Sequence, residues 1–170
     1  MIVRTRVVWP TLWLWSCLLL AGCGYRAGLP VEDDYASIGV EIFGNESYER
    51  DLERAVHAEL TRAVRDVCAV PIQPPEVAQV IVRGTITNYQ RRGGVRTRDN
   101  ALLETGLTIT VEATLIDQRS RRPIGPPETA SGSVGYLVDE QDGERSARDR
   151  ALRKLCDELV LRLFAPQRET

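Results

Sequence analysis

Lysine and histidine are almost missing from this chain of 170 residues: Lys154 is its one lysine and His57 its one histidine. With a single imidazole there is no histidine cluster for a metal and no partner set for a catalytic triad. His57 therefore reads as a surface helix residue. Cysteine is confined to Cys17, Cys23, Cys68 and Cys156, without Cys-x-x-Cys spacing. An excess of positive charge is also lacking. Lys+Arg is 22 against Asp+Glu 24, a net charge of -2, which excludes a general nucleic-acid or anionic-membrane footprint. Gly93-Gly94 lacks the strand-to-helix setting of a phosphate loop. There is no internal repeat and no low-complexity block. What is present is 43% hydrophobic and 27% charged residues, the balance of a globular domain. No constellation for catalysis emerges, so the chain is not expected to be an enzyme, and no metal is expected.

The amino terminus is the most specific segment. Arg4 and Arg6 precede an apolar stretch from Val7 to Leu20, interrupted by Pro10 and Ser16. That stretch is shorter than the roughly 20 residues needed to span a bilayer. A charged start, a short apolar core and small residues before a cut site form a secretory signal. Leu20-Ala21-Gly22-Cys23 resembles the lipobox of bacterial lipoproteins. That resemblance implies cleavage before Cys23 and a diacylglycerol thioether on its sulfur, with acyl chains such as palmitate. No other cofactor is expected. Two or more acyl chains, at about 0.8 kcal/mol per buried methylene, anchor a protein stably. Residue 24 is Gly rather than Asp, which leans towards the outer membrane. Cleavage leaves 148 residues with net charge -4, since Arg4 and Arg6 are lost. A domain of that size buries roughly 68–70% of its unfolded surface and needs no staple.

Period-two alternation predicts strands at Ser37 to Phe43, Val77 to Tyr89, Leu102 to Asp117 and Gly132 to Val138. Gly44-Asn45 is expected to break the first, and Arg91-Arg92-Gly93-Gly94 to form a turn. A helix capped by Ser47 carries Leu52, Val56, Leu60, Ala63, Val64 and Val67 on one stripe and ends before Pro71. A capping box at Ser146-Ala147-Arg148-Asp149 opens a second, with Leu152, Leu155, Leu159 and Leu163 inward. The order β-α-β-β-β-α predicts an α+β fold: a two-layer α/β sandwich, with a four-stranded mixed sheet and both helices on one face. The domains are the signal peptide at 1–22, a lipidated tether at 23–35 that contains Glu32-Asp33-Asp34, the sandwich at 36–165, and a tail at 166–170.

Two features remain as candidate sites. Arg91, Arg92, Arg96 and Arg98 crowd one connection, and Arg119, Arg121 and Arg122 another. The planar guanidinium fork donates paired hydrogen bonds to phosphate or carboxylate. These tips are local positive spots for anionic glycolipid headgroups or acidic partner loops, or else solvated turns. Cys68 and Cys156 are both on the core-facing side of their helices in an oxidising compartment. They are either a disulfide or two buried thiols.

Cys23-Gly24-Tyr25 followed by Ile38-x-Val40-x-x-Phe43-x-Asn45 resembles the start of the LptE family of lipopolysaccharide-assembly lipoproteins. Glu59-Leu60-Thr61-x-Ala63, Val77-Ala78-x-Val80-x-Val82-x-Gly84-x-Ile86, the threonine-rich third strand and the terminal helix are similar too. The resemblance runs over most of Cys23 to Phe164 and is carried as much by element order as by letters. It implies a lipid-anchored, periplasm-facing outer-membrane lipoprotein of two-layer α/β fold. It also implies the LptD β-barrel as partner and lipopolysaccharide as ligand, and no nucleic acid. The arginine loops would then meet lipid A phosphates. The phosphate-binding lysines of better-known members have no counterparts here. The alternative is another periplasm-facing lipoprotein, an auxiliary subunit of an export system or an activator of a cell-wall synthase.

Overall fold

The structure, a computed structural model, describes residues 35–68, 70–99, 103–138 and 142–164. The signal segment, Cys23, nearly all of the tether and the tail lie outside the described residues. The elements in chain order are β1 (Ile38–Val40), β2 (Gly44–Asn45), α1 (Leu52–Val67), β3 (Val80–Arg92), β4 (Glu104–Asp117), β5 (Arg122–Pro123), β6 (Glu128–Leu137) and α2 (Gly143–Phe164).

The four expected strands become four columns of a mixed sheet of six. β1 and β2 run in line along one side of β3, both parallel to it. β4 pairs antiparallel with β3, and on its far side with both β5 and β6. The two extra strands are two residues long. Gly44–Asn45, expected to end the first strand, pairs with Thr85 and Ile86 instead, and Arg122–Pro123 turns part of the basic loop into strand.

Both helices cover the same face. Leu107, Ile109, Val111, Ala113 and Leu115 of β4, with Val80, Val82 and Ile86 of β3, are buried in one cluster with Leu52, Val56, Leu60, Val64, Leu152, Leu155 and Leu159. This is the alternation expected of β4, and it makes the two-layer fold. Leu103, placed by its spacing on the same face as Leu107 in the strand expected from Leu102 to Asp117, instead precedes β4 and is 42% exposed. The outer face is a hydroxyl ladder: Thr108 bonds Ser133 at 2.8 Å and Thr110 bonds Ser131 at 2.9 Å. At one end, Ile81 and Ile116 are paired and buried on that outer face. There the Pro75–Ala78 segment passes close over Gly39.

Helix starts differ from expectation for a local reason. Ser47 accepts from Glu49 N–H at 3.3 Å and donates to Asn45 at 2.6 Å. Its hydroxyl is spent in a turn, and α1 begins later, after Asp51 in the left-handed region at φ 58°. Asp142, at φ 62°, likewise precedes α2, which starts one turn ahead of Ser146. Arg62 then ties the helices, donating to Glu59 at 2.8 Å, Asp66 at 2.7 Å and Asp157 of α2 at 2.8 Å.

Cys68 and Cys156 are both free and buried, so the disulfide that the sequence left open is not formed. Cys68 is the extended cap that ends α1, whereas Cys156 is inside α2. Burial pushes the Cys68 thiol up to about 11, and burial with the Glu59 and Asp157 charges pushes Cys156 up to about 12.

α2 packs so closely on β6 that a Cβ on Gly132 would sit 2.3 Å from the Ala151 carbonyl oxygen. Backbone cannot yield cheaply there, so Gly132→Ala is expected to cost about 2 kcal/mol in urea unfolding. Gly135→Ala, whose Cβ would meet the movable Glu104 carboxylate end at 3.0 Å and the Thr105 carbonyl at an ordinary 3.7 Å, is expected to change stability by less than about 0.5 kcal/mol.

Candidate functional site

The sheet separates the two arginine groups. Arg91 and Arg92 end β3, paired with Leu107 and Gly106 at the start of β4. Arg119, Arg121 and Arg122 follow the other end of β4, where Asp117 pairs with Val80 and Arg122. With about 3.3 Å per residue, the length of β3 puts them about 40 Å apart. They cannot form one binding site.

Within the first group a β-bulge makes a second division. The β3–β4 register shifts between Ile86 and Asn88. Before the shift, even-numbered β3 residues face the helices; after it, Tyr89 and Arg91 do, opposite Ile109 and Leu107. A bulge re-aims side chains in this way. Arg91 is thereby turned onto the helix-covered face and Arg92 onto the open one, over Gly106.

Arg91 is consequently occupied. Its Nε donates to Glu144 of α2 at 2.7 Å and its NH2 lies 3.6 Å from Glu49, while its guanidinium sits 5.5 Å from the Tyr89 ring centre. Tyr89 and Tyr136 donate to the same Glu144 carboxylate at 3.1 and 3.3 Å. The Arg91 hydrogen bond, reinforced by its charge and both phenols, holds the Glu144 carboxyl below the usual carboxylate range. Burial, with the Glu144 charge next, pushes Tyr89 up to about 12. Glu144 was not among the candidates read from the sequence. The signal for it was the acidic residue in the first turn of α2, where the helix dipole favours negative charge.

Beyond this knot the end of the sheet is both apolar and basic. Val95, Leu103, Leu137 and Val138 are 61, 42, 54 and 45% exposed. They are joined by Leu103 N–H to Val95 O at 2.8 Å and Val138 N–H to Leu103 O at 3.1 Å. Arg92, Arg96 and Arg98 are exposed around them. Between Arg92, Thr105, Tyr136 and Arg145 lies an open cleft of about 590 Å³. The arrangement suits a molecule that is anionic in one part and apolar in another.

At the other end, Arg119, Arg121 and Arg122 are exposed, with Arg121 in the left-handed region at φ 58°. His57 is half-buried on α1, its Nδ1 3.4 Å from the Glu41 carbonyl. No group of three or more His, Cys, Asp or Glu side chains among the described residues is placed to hold a metal.

Because Glu144 has a lowered carboxyl pKa in the fold, its contribution is full above the unfolded value near 4.3 and fades as pH falls through the folded value. Glu144→Gln is expected to cost about 1 kcal/mol at neutral pH, the carboxylate being partly exposed. The gap to the parent in urea melts is expected to narrow between neutral pH and pH about 3.

Comparisons with known proteins agree with this architecture. A dodecamer of a PelC variant from Paraburkholderia phytofirmans superposes with TM-score 0.55 at 15% identity, covering 84% of this chain and 95% of that one. Protein XCC0632 from Xanthomonas campestris gives TM-score 0.57 at 10% identity, covering 74% and 81%. At these identities the likeness is one of fold. No curated protein matches the chain. A family model described as lipopolysaccharide-assembly matches residues 35–163, nearly the whole of the folded part. The chain belongs to the LptE family.

Proposed function

We propose that this protein is an outer-membrane lipoprotein, anchored through Cys23, that assists lipopolysaccharide assembly in complex with an LptD-like β-barrel. The family match over residues 35–163 carries the reading, and the family is one of accessory lipoproteins without enzymatic activity. Two physical features support it. The uncovered sheet face is a ladder of paired hydroxyls, suited to the polar interior that such barrels present. No helix among the described residues is long and apolar enough to cross a membrane.

The lipopolysaccharide-facing end is the one with Val95, Leu103, Leu137 and Val138. Its apolar residues would meet acyl chains while Arg92, Arg96 and Arg98 meet lipid A phosphates. Arg91 is not one of these contacts, since Glu144 and Glu49 hold it.

Purification from detergent-solubilised membranes is expected to bring down a large β-barrel, identified by mass spectrometry. A cell-wall synthase or an export complex in its place would overturn the reading. Cys23→Ala is expected to move the protein to the soluble fraction. Arg92→Glu with Arg98→Glu is expected to weaken lipopolysaccharide binding about tenfold, with no change in melting temperature, since charge-assisted contacts contribute about 1.5–3 kcal/mol each when solvent is excluded and less when exposed. Undiminished binding would return those arginines to the solvated surface.

A further inference from the structure

The described chain begins at the end of the sheet opposite the lipopolysaccharide candidates. Ala36 N–H donates to the Gln79 side chain at 2.6 Å, and Gln118 N–H donates to the Gln79 carbonyl at 2.9 Å. Arg119 follows Gln118 directly. Two hydrogen bonds therefore connect the point where the chain enters the domain to the turn that carries Arg119, Arg121 and Arg122. The Gln118 side chain also donates to the carbonyls of Pro75 at 3.0 Å and Glu76 at 3.2 Å, which places Val77, 67% exposed, on the same end.

The arginines of this turn make no direct ion pair among the described residues. The nearby carboxylates are bonded first to other groups, with the charges of Arg121 and Arg119 acting on Glu41 and Asp117 as lesser contributions. Glu41 accepts two bonds from Arg83, at 2.6 and 2.8 Å, which hold its carboxyl below the usual range. Asp117 accepts from Ser120 N–H at 2.5 Å. Arg119, Arg121 and Arg122 enter no ion pair among the described residues, and Glu76 is the remaining exposed carboxylate of the Pro75–Val77 segment.

We propose that Arg119, Arg121 and Arg122 form a docking surface for the anionic phospholipid headgroups of the leaflet that receives the acyl chains of Cys23, so that this end of the domain is held at the membrane surface. The proposal rests on Cys23 being the lipidated residue. Tyr35 lies twelve positions after Cys23, and a chain of that length spans at most about 43 Å when fully extended. The arginine turn reaches the anchoring bilayer without any such extension. The Arg92 and Arg98 end, about 40 Å farther along the sheet, would need almost all of it. Sequence order adds a reason for the turn. Glu32-Asp33-Asp34 precede Tyr35, and an anionic surface would repel them. Three arginines beside the entry point offset that charge locally on a domain whose net charge is otherwise unfavourable for such a surface.

The test uses the full mature chain with Cys23→Ala, so that no acyl chain contributes. It is sedimented with vesicles of phosphatidylcholine alone and of phosphatidylcholine with phosphatidylglycerol. Binding is expected to be selective for the phosphatidylglycerol vesicles and to fall in high salt. Arg119→Gln, Arg121→Gln and Arg122→Gln together are expected to reduce the partition coefficient at least about tenfold. The three Lys substitutions, which keep the charge, are expected to restore most of it. Arg50→Gln, Arg153→Gln and Lys154→Gln together, which remove the same charge from exposed positions away from the turn, are expected to change it by less than about twofold. Equal binding to both vesicles, undiminished binding by the Arg119, Arg121 and Arg122 variant, or an equal loss in the Arg50, Arg153 and Lys154 variant would overturn the proposal. Palmitate labelling of the parent with Cys23 intact is read separately. Absence of label would remove the anchored-lipoprotein reading while leaving the vesicle result to stand or fall alone.

Discussion

The long antiparallel ladder between β3 and β4, broken by a single bulge, governs where everything else lies. It runs from Val80 paired with Asp117 to Arg92 paired with Gly106, so the hairpin has two ends a full strand length apart. The start of the described chain, the Pro74–Ala78 segment and the arginine turn gather at one end. The first turn of α2, the exposed apolar residues and the 91–98 connection gather at the other. Because α1 and α2 both cover the same face, the ladder also leaves its opposite face without a covering layer except at the end where Ile81 and Ile116 are buried. That face is tolerable to water only because Thr108, Thr110, Ser131 and Ser133 satisfy one another across the strands. Cross-strand hydroxyl pairs of this kind contribute a few tenths of a kcal/mol each. Their larger effect is to keep the face polar while its backbone stays in strand.

The bulge between Ile86 and Asn88 is what gives neighbouring arginines different work. One extra residue swaps the parity of β3, and Arg91 becomes the clasp between the sheet and α2, while Arg92 is turned onto the open face. The clasp is a shared carboxylate with an arginine and two phenols around Glu144. A charge surrounded by three donors is costly to reposition, so the mouth of the cleft beside Arg92 and Tyr136 is held in shape by groups that do not themselves need to touch a ligand. Exposed arginines on a fixed frame can then meet a phosphate without the frame having to order first, which lowers the entropic cost of binding.

Much of the fold was legible in the sequence because burial on one face leaves a periodic trace. Leu107 to Leu115 alternate without exception, and the stripe from Leu52 to Val64 is buried as its spacing predicts. Boundaries were less legible where polar residues form strand. The expected strand began only at Gly132, leaving out Glu128, Thr129 and Ser131, because nothing in their letters shows that their backbone groups would pair with β4. Ser47 and Ser146 looked like caps because cap chemistry is local, yet Asn45 competes for the first and Asp142 precedes the second. The opposition of the two arginine groups was implicit in the order strand, turn, strand, since the turn of a hairpin and the far end of its second strand are always a strand apart. The role of Arg91 was not legible. It depends on a one-residue shift in register, and a bulge without glycine leaves no mark in composition.

Length gives the two ends a physical meaning on the reading proposed. The β3–β4 ladder is about 40 Å long, and a bilayer with its headgroup regions is about 40–45 Å thick. A domain seated along the bilayer normal inside a barrel, with its entry end level with the anchored leaflet, therefore carries its other end to the level of the opposite leaflet. Each end then has the chemistry for its own depth. At the anchored leaflet the arginine turn has little apolar company beyond Val77, which suits phosphates at a surface. At the far end, arginines surround Val95, Leu103, Leu137 and Val138, which suits a ligand bringing phosphate and acyl chain together. A shorter hairpin would place both basic groups in one leaflet, and a helix-covered second face would give the barrel interior no hydroxyls to meet.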